Sequence, residues 1–241
     1  MTTTVTLVAP SANYTQQCQS GNNYTAVNGI ITSVVVGTDV TDLVKGGCVL
    51  IPSPENAPVL PMVAGRFYPP QGATLASVLT VTATQYAYPI YVPNPITVKS
   101  LSLSVATGQT GGAAHIGIYQ DNAGYPGALI YDSGAVSGLT STTVVTDTIA
   151  SGNPVLTPGW YWISTIFTAS STFPSVEGIS ATYTALASGL GYDTAAHALA
   201  TSGQAPTGIS VAGTYGALPA IFPAGATLTL NAGTPAVGIG L

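Results

Sequence analysis

The stretch AAHIGIYQDNAGYPGALIYD, residues 113–132, decides the fold class. Ile116 and Ile118 fall on one face of an extended chain and His115 on the other, the period-two pattern of a half-buried strand. Asp121, Asn122, Ala123 and Gly124 supply turn chemistry. Pro126 and Gly127 then restart the chain before a second β-prone run at 128–132. Further runs of the same kind follow at 74–82, 86–92, 96–105, 142–149, 159–167 and 176–182. Val98, Leu101, Leu103 and Val105 show the clearest alternation among them. Short strands at this spacing, separated by turn signals and without helical periodicity of comparable length, predict an all-β fold built as a β-sandwich or jelly roll.

Composition narrows what such a fold can do. Only 5% of the residues are charged, with 3 Lys or Arg and 8 Asp or Glu, against 46% hydrophobic, 28 Gly and 18 Pro. Disorder requires low hydrophobicity and high net charge, so this chain folds. An ordinary soluble domain is about 25% charged, and a surface so poor in charge has little electrostatic protection against association. Self-assembly is therefore expected. The net charge of -5, with Lys45, Arg66 and Lys99 scattered, argues against nucleic acid as a partner. No apolar run approaches the roughly 18 residues of a membrane helix, and the N-terminal residues lack the pattern of an export signal. Synthesis in the cytoplasm without membrane insertion is the expectation.

Residues 1–52 read as a small unit of their own. Short β-prone runs at 5–8, 24–27, 30–36 and 48–51 are separated by turns, and Asn28-Gly29 is a hairpin signal that predicts antiparallel pairing of the runs on either side. Residues 38–47 read as a short helix. Thr38 or Asp39 can cap its start, Lys45 sits in the last turn, and Gly46 or Gly47 can end it. Cys18 and Cys48 could form one bridge, although thiols of a cytosolic chain stay reduced and pack as small hydrophobes.

Six prolines between Pro52 and Pro70 make residues 53–73 a semi-rigid spacer or an extended arm that packs on a neighbouring surface. The sandwich is assigned to 74–241. Within it, residues 184–226 are rich in Ala, Gly and Ser and read as a loop insertion across one end, with a return through 227–230 and 237–239.

Catalytic and metal chemistry find no foothold in the pattern. His115 and His197 are the two imidazoles, and no Gly-x-Ser-x-Gly elbow accompanies them. Glu55 and Glu177 are the only glutamates, too isolated to nominate a glycosidase pair. Asp121-Asn122 lacks the spacing of a calcium loop, and neither a phosphate loop nor a zinc spacing occurs. No catalytic residue, cofactor or metal ligand is nominated. The aromatic residues carry the remaining interest. Trp160 and Trp162 share one strand face, with Tyr161 and Ile163 on the other. Trp162 reads as a core anchor, while Trp160 reads as its rim neighbour, a glycan platform or a subunit contact. Trp160, Tyr192, His197 and Tyr215 are the candidate glycan or subunit contacts.

Two resemblances give this reading a direction. The order NxYTAxNGIIT…TDVxDLVxxGCxL, carried by Tyr24, Asn28, Gly29, Ile30, Asp42, Leu43, Gly47 and Cys48, resembles a small module near the N-termini of many tailed-bacteriophage structural proteins. In that pattern the Gly-Cys pair closes a helix and enters a strand, which implies that Cys48 is a packing residue. The stretch IGIYQDNAGYPGALIYDSGAV with the later LTPGWYWIS resembles a jelly-roll module of phage fibre-like and bacterial surface proteins. Ile118, Tyr119, Pro126, Gly127, Leu129, Ser133, Gly134, Gly159, Tyr161 and Trp162 carry it, across residues 85–180. Together they imply a non-enzymatic bacteriophage virion protein, a capsid decoration, head fibre or tail fibre protein. The expected partners are further copies of the chain, with a trimer favoured, the major capsid or tail proteins and, for an adhesin, a host cell-surface glycan.

Overall fold

The computed structural model describes residues 4–11, 13–27, 29–35, 38–51, 61–71, 74–80, 83–170, 172–180, 190, 205–230 and 232–241. The chain divides into two compact units, Met1–Pro61 and Met62–Leu241.

In the smaller unit β1 (Thr4–Val8), β2 (Thr15–Gln17), β3 (Asn23–Thr25) and β4 (Ile30–Val35) precede the helix α1 (Thr38–Lys45) and β5 (Val49–Ile51). Strand β1 lies between β4 and β5, and β2 pairs with β3, all antiparallel. The runs on either side of Gly29 meet in one antiparallel bridge and do not go on to pair as a hairpin. Val27 and Ile30 exchange both backbone hydrogen bonds, at 2.8 and 3.1 Å, around Gly29 at φ +78°. Beyond that bridge the chains part, because β3 finds its partner in β2 and β4 finds its partner in β1. The helix ends as its sequence predicts. The amide of Gly47, at φ +91°, donates to Val44 and that of Cys48 donates to Leu43, the paired bonds of a Schellman motif. Leu43 and Cys48 then bury together with Leu7, Cys18, Ile31 and Val34. Both cysteines are free thiols in this core, not a bridge.

The larger unit begins at Met62. Met62 is buried, and its amide and carbonyl both bond the Asn94 side chain. Its first strand, β6 (Phe67–Tyr68), falls inside the 53–73 spacer region, so residues 62–70 are part of the folded unit. Residues 52–60 lie outside the described residues. The strands that follow match the alternating runs: β7 (Leu75–Leu79), β8 (Thr84–Val92), β9 (Ile96–Thr97), β10 (Ser100–Thr107), β11 (Ala113–Asn122), β12 (Tyr125–Asp132), β13 (Val136–Ser137) and β14 (Thr143–Thr148). Then come β15 (Val155–Leu156), β16 (Gly159–Thr168), β17 (Ser175–Ile179), β18 (Ile209–Ala212), β19 (Thr227–Leu228), β20 (Thr234–Pro235) and β21 (Gly238–Gly240).

They form an antiparallel β-sandwich. One sheet runs β20-β17-β10-β21-β6, with β14 on β10 and β7 on β17; the other runs β12-β11-β16-β8-β18-β19, with β13 beside β11. Alternation explains which side chains meet. Leu101, Leu103 and Val105 of β10 face Ile116 and Ile118 of β11, Ile163 and Phe167 of β16 and Tyr88 of β8 across the core, while Ser100, Ser102 and Ser104 take the opposite face. Full burial of each large apolar side chain contributes about 1.5–3 kcal/mol. The Tyr88 hydroxyl, buried among them, donates to the Val237 carbonyl at 3.0 Å and accepts from the Val237 amide at 3.1 Å.

The β11–β12 turn is tighter than four residues. Asn122 pairs with Tyr125, and both intervening residues are left-handed, Ala123 at φ +52° and Gly124 at φ +87°. This is the type I′ geometry that follows strand twist, and it favours Asn or Gly at the first position. Ala123→Asn or Ala123→Gly is therefore expected to stabilise the larger unit by about 0.5–1 kcal/mol, read as a higher urea midpoint. An unchanged or lower midpoint would contradict the left-handed turn.

Candidate functional site

The outward face of the β11–β16–β8 sheet is covered, and the cover comes from the stretch read as a loop insertion. Of the 184–226 stretch, 184–189 and 191–204 lie outside the described residues, and 205–226 is irregular chain laid on the sheet apart from one strand and a bridge at Ile221. Ile209–Ala212 is a strand paired with β8, and Phe222 and Leu129 exchange backbone bonds with Gly127 and Ala220 to hold the following segment on β12. Apolar side chains at low density suffice for this, because Leu218 and Phe222 fall onto an apolar floor. Ala87, Tyr119, Trp162, Ile166, Ile209, Leu218 and Phe222 form a second core. Trp162 is thus a core anchor, as its sequence suggests, but of this outer core; Tyr161 and Ile163 face the sandwich interior. Gly117 sits under the cover, where a Cβ would strike the Leu218 side chain and the Tyr131 carbonyl.

Buried polar groups fasten the cover to the sheet. His115 Nδ1 lies 2.9 Å from Asp132 Oδ1, and the same oxygen accepts from the Gly134 amide at 3.0 Å. Asp132 Oδ2 accepts from the Leu218 amide at 2.8 Å. Tyr215 presents its ring edge-on to His115, with centroids 5.2 Å apart. The Gln85 amide donates to Ser164 Oγ at 2.9 Å and to the Tyr119 hydroxyl, which donates in turn to the Pro219 carbonyl at 2.9 Å. Burial pushes the Tyr119 hydroxyl up to about 12. Burial, with Asp132 nearby, raises that of Tyr215. Ser164 is fully buried and tied to Gln85, and His115 is buried with its Nδ1 committed to Asp132. These groups carry the geometry of a fastening.

The sequence candidates therefore separate. Tyr215 belongs to the fastening, Trp160 is half-exposed at 52%, and Tyr192 and His197 lie outside the described residues. Trp160 pairs with Tyr91 of β8, ring centroids 5.3 Å apart and planes at 54°. The Gln71 side chain pins that strand by bonding the backbone carbonyl and amide of Tyr91, at 2.6 and 3.3 Å.

The larger unit carries a concavity of ≈ 590 Å³ lined by Ser77, Thr84, Tyr86, Ser210 and Thr229, and two smaller ones. One, ≈ 390 Å³, sits on the outward face of the β10 sheet, with Ser102, Ser104 and Gly238 on its floor and the exposed Phe67, Leu75 and Val144 at its rim. The other, ≈ 370 Å³, opens over Trp162, between the hairpin tip at Gly124 and Tyr125 and the strand β19. Asp121 ties two of its walls together, Oδ1 accepting from Trp162 Nε1 at 2.8 Å and Oδ2 from the Gly124 amide at 3.2 Å. Sequence reasoning missed this second cleft, because β19 and Leu190 complete it from positions far from Trp162. Among the described residues no three metal-ligating side chains cluster, and no helix is long and apolar enough to cross a membrane. Searches of protein-family models and of curated proteins return no match to this sequence.

Proposed function

We propose that this chain is a non-enzymatic structural component of a bacteriophage virion, a capsid decoration or head fibre protein that docks through its smaller unit and presents the larger sandwich, with the jelly-roll topology that the resemblance implies. The observation that carries this reading is the surface. Exposed Phe67, Leu75 and Val144 share the rim of one concavity on a chain with 5% charged residues, and grouped apolar exposure on so uncharged a chain supports contact with other subunits. The buried His115 and Ser164 add support, since the hydrogen bonds they make go to Asp132 and Gln85 within the fold. The two sequence resemblances supply the virion context, and a symmetric oligomer, a trimer by analogy with fibre-like proteins, follows from it.

A second reading, a tail-fibre or surface adhesin that binds host glycan through the larger unit, is favoured by the half-exposed Trp160 and its Tyr91 partner. Density-gradient sedimentation of a producing lysate tests the primary reading. The chain is expected to travel with assembled particles and, once released from them, to sediment as an oligomer. A chain that remains at the top of the gradient as a monomer contradicts it.

A further inference from the structure

We infer that the apolar groove on the outward face of the β10 sheet receives the Arg66–Phe67 corner of a second copy of this chain, and that the incoming Arg66 pairs there with Glu177. This rests on the reading of the chain as an oligomer and names the contact that joins its copies.

The groove, ≈ 390 Å³, has a floor of small residues. Ser102, Ser104 and Gly238 let an incoming side chain approach the sheet closely, and the exposed Phe67, Leu75 and Val144 surround that floor with apolar surface. Phe67 is 66% exposed. Its ring stays at the rim because it lies over Gly240, where a Cβ would come within 2.8 Å of it.

Charge decides what the groove accepts. Glu177 lines it and is the charged residue among the described residues that do. The described aspartates of the larger unit are committed within the fold, Asp121 to Trp162 and Gly124, Asp132 to His115 and Leu218, and Asp147 to the Tyr131 hydroxyl. The Glu177 carboxylate has no such partner among the described residues. Apolar surface closing over it would strip its water and leave the charge uncompensated, so the occupant must bring a cation. The larger unit carries two Lys or Arg residues, Arg66 and Lys99, both exposed and without an ion pair among the described residues. Lys99 stands between the buried Val98 and Ser100, with no apolar neighbour to place in a groove. Arg66 adjoins the exposed Phe67, and its guanidinium is planar, weakly hydrated and matched to a carboxylate by two parallel donors. Corner and groove lie on one unit, so each copy can give one contact and receive one, as a closed symmetric assembly requires.

Sedimentation equilibrium of the full-length protein, with charge reversals, tests the contact. The parent is expected to sediment as an oligomer. Arg66→Glu and Glu177→Arg are each expected to weaken self-association about a hundredfold, because each sets like charges together in the contact. The double variant restores an opposite pair and is expected to reassemble, which separates loss of the contact from loss of the fold. Lys99→Glu is expected to assemble as the parent does, and circular dichroism verifies that every variant is folded. An oligomer that survives either single reversal, a double variant that stays monomeric, or a Lys99→Glu variant that dissociates as far as Arg66→Glu would overturn the contact and leave the oligomer reading standing. A monomeric parent would overturn both.

Discussion

Trp162→Ala lowers the stability of the larger unit by about 3–5 kcal/mol, whereas Trp160→Ala, on the same face of the same strand, changes it by no more than about 0.5 kcal/mol. The contrast follows from what lies above each indole. Trp162 is 2% exposed and packed beneath the segment that carries Leu218 and Phe222. Its removal opens a cavity in the outer core and also takes away the N–H that donates to Asp121. Trp160 is 52% exposed and touches Tyr91. Urea unfolding of the two variants, monitored by circular dichroism, measures the difference. Similar losses for both would mean that residues 205–222 do not cover the sheet.

Asp39→Ala unfolds the smaller unit, or brings its melting far below that of the larger one. Asp39 is 2% exposed, and its Oδ2 accepts from Asn22 Nδ2 and from the Tyr24 hydroxyl, each at 2.8 Å. Tyr24 in turn accepts from the Val35 amide at 3.2 Å, so one carboxylate joins α1 to β3 and β4. With alanine in its place the half-buried Tyr24 hydroxyl loses its acceptor and the tie from α1 to β3 and β4 is cut, while the exposed Asn22 side chain turns to water.

Hydrogen bonds from Ser20, Asn22 and Tyr24 hold the Asp39 carboxyl below its ordinary value of 3.8. Because the folded carboxylate resists protonation, the stability it lends is complete above that value and is lost as pH falls through the lower folded one. The smaller unit is thus expected to open in acid. Cys18 and Cys48, the only cysteines of the chain, are buried in this unit, and burial raises both thiols. Their labelling by dithiodipyridine, which reacts in acid, reports its opening alone. Slow labelling at neutral pH, rapid labelling of Asp39→Ala and rapid labelling of the parent only in acid are the expected results. An Asp39→Ala variant as protected as the parent would contradict the role of the carboxylate.

These two residues also mark where the sequence was legible. Period-two alternation located the long strands of the sandwich, because a strand with one face in the core must alternate, and β10 with its Leu and Ser faces is the clearest instance. The outer core was hidden for the same reason. Strands buried on both faces lose the alternation, so Trp162 read as a core anchor without showing that its core lies outside the sandwich, and residues 205–222 lacked the β-branched run that would have announced their return. Asp39 read as a helix cap because it stands at a helix start. Its real partners, Asn22 and Tyr24, are brought to it by the β2–β3 pair, which no local pattern encodes. The Trp160 alternatives stayed open in the sequence. The structure makes it a rim residue beside a cleft whose far wall comes from β19.

We propose that a surface this poor in charge is covered in the working state, by capsid subunits and further copies of the chain. The measurement that tests this most directly is a cryo-EM reconstruction of intact particles from the producing host. The account predicts density for a small unit seated on the capsid and for a β-sandwich beyond it, in symmetric copies at repeated capsid positions. Particles whose density holds neither unit would contradict it.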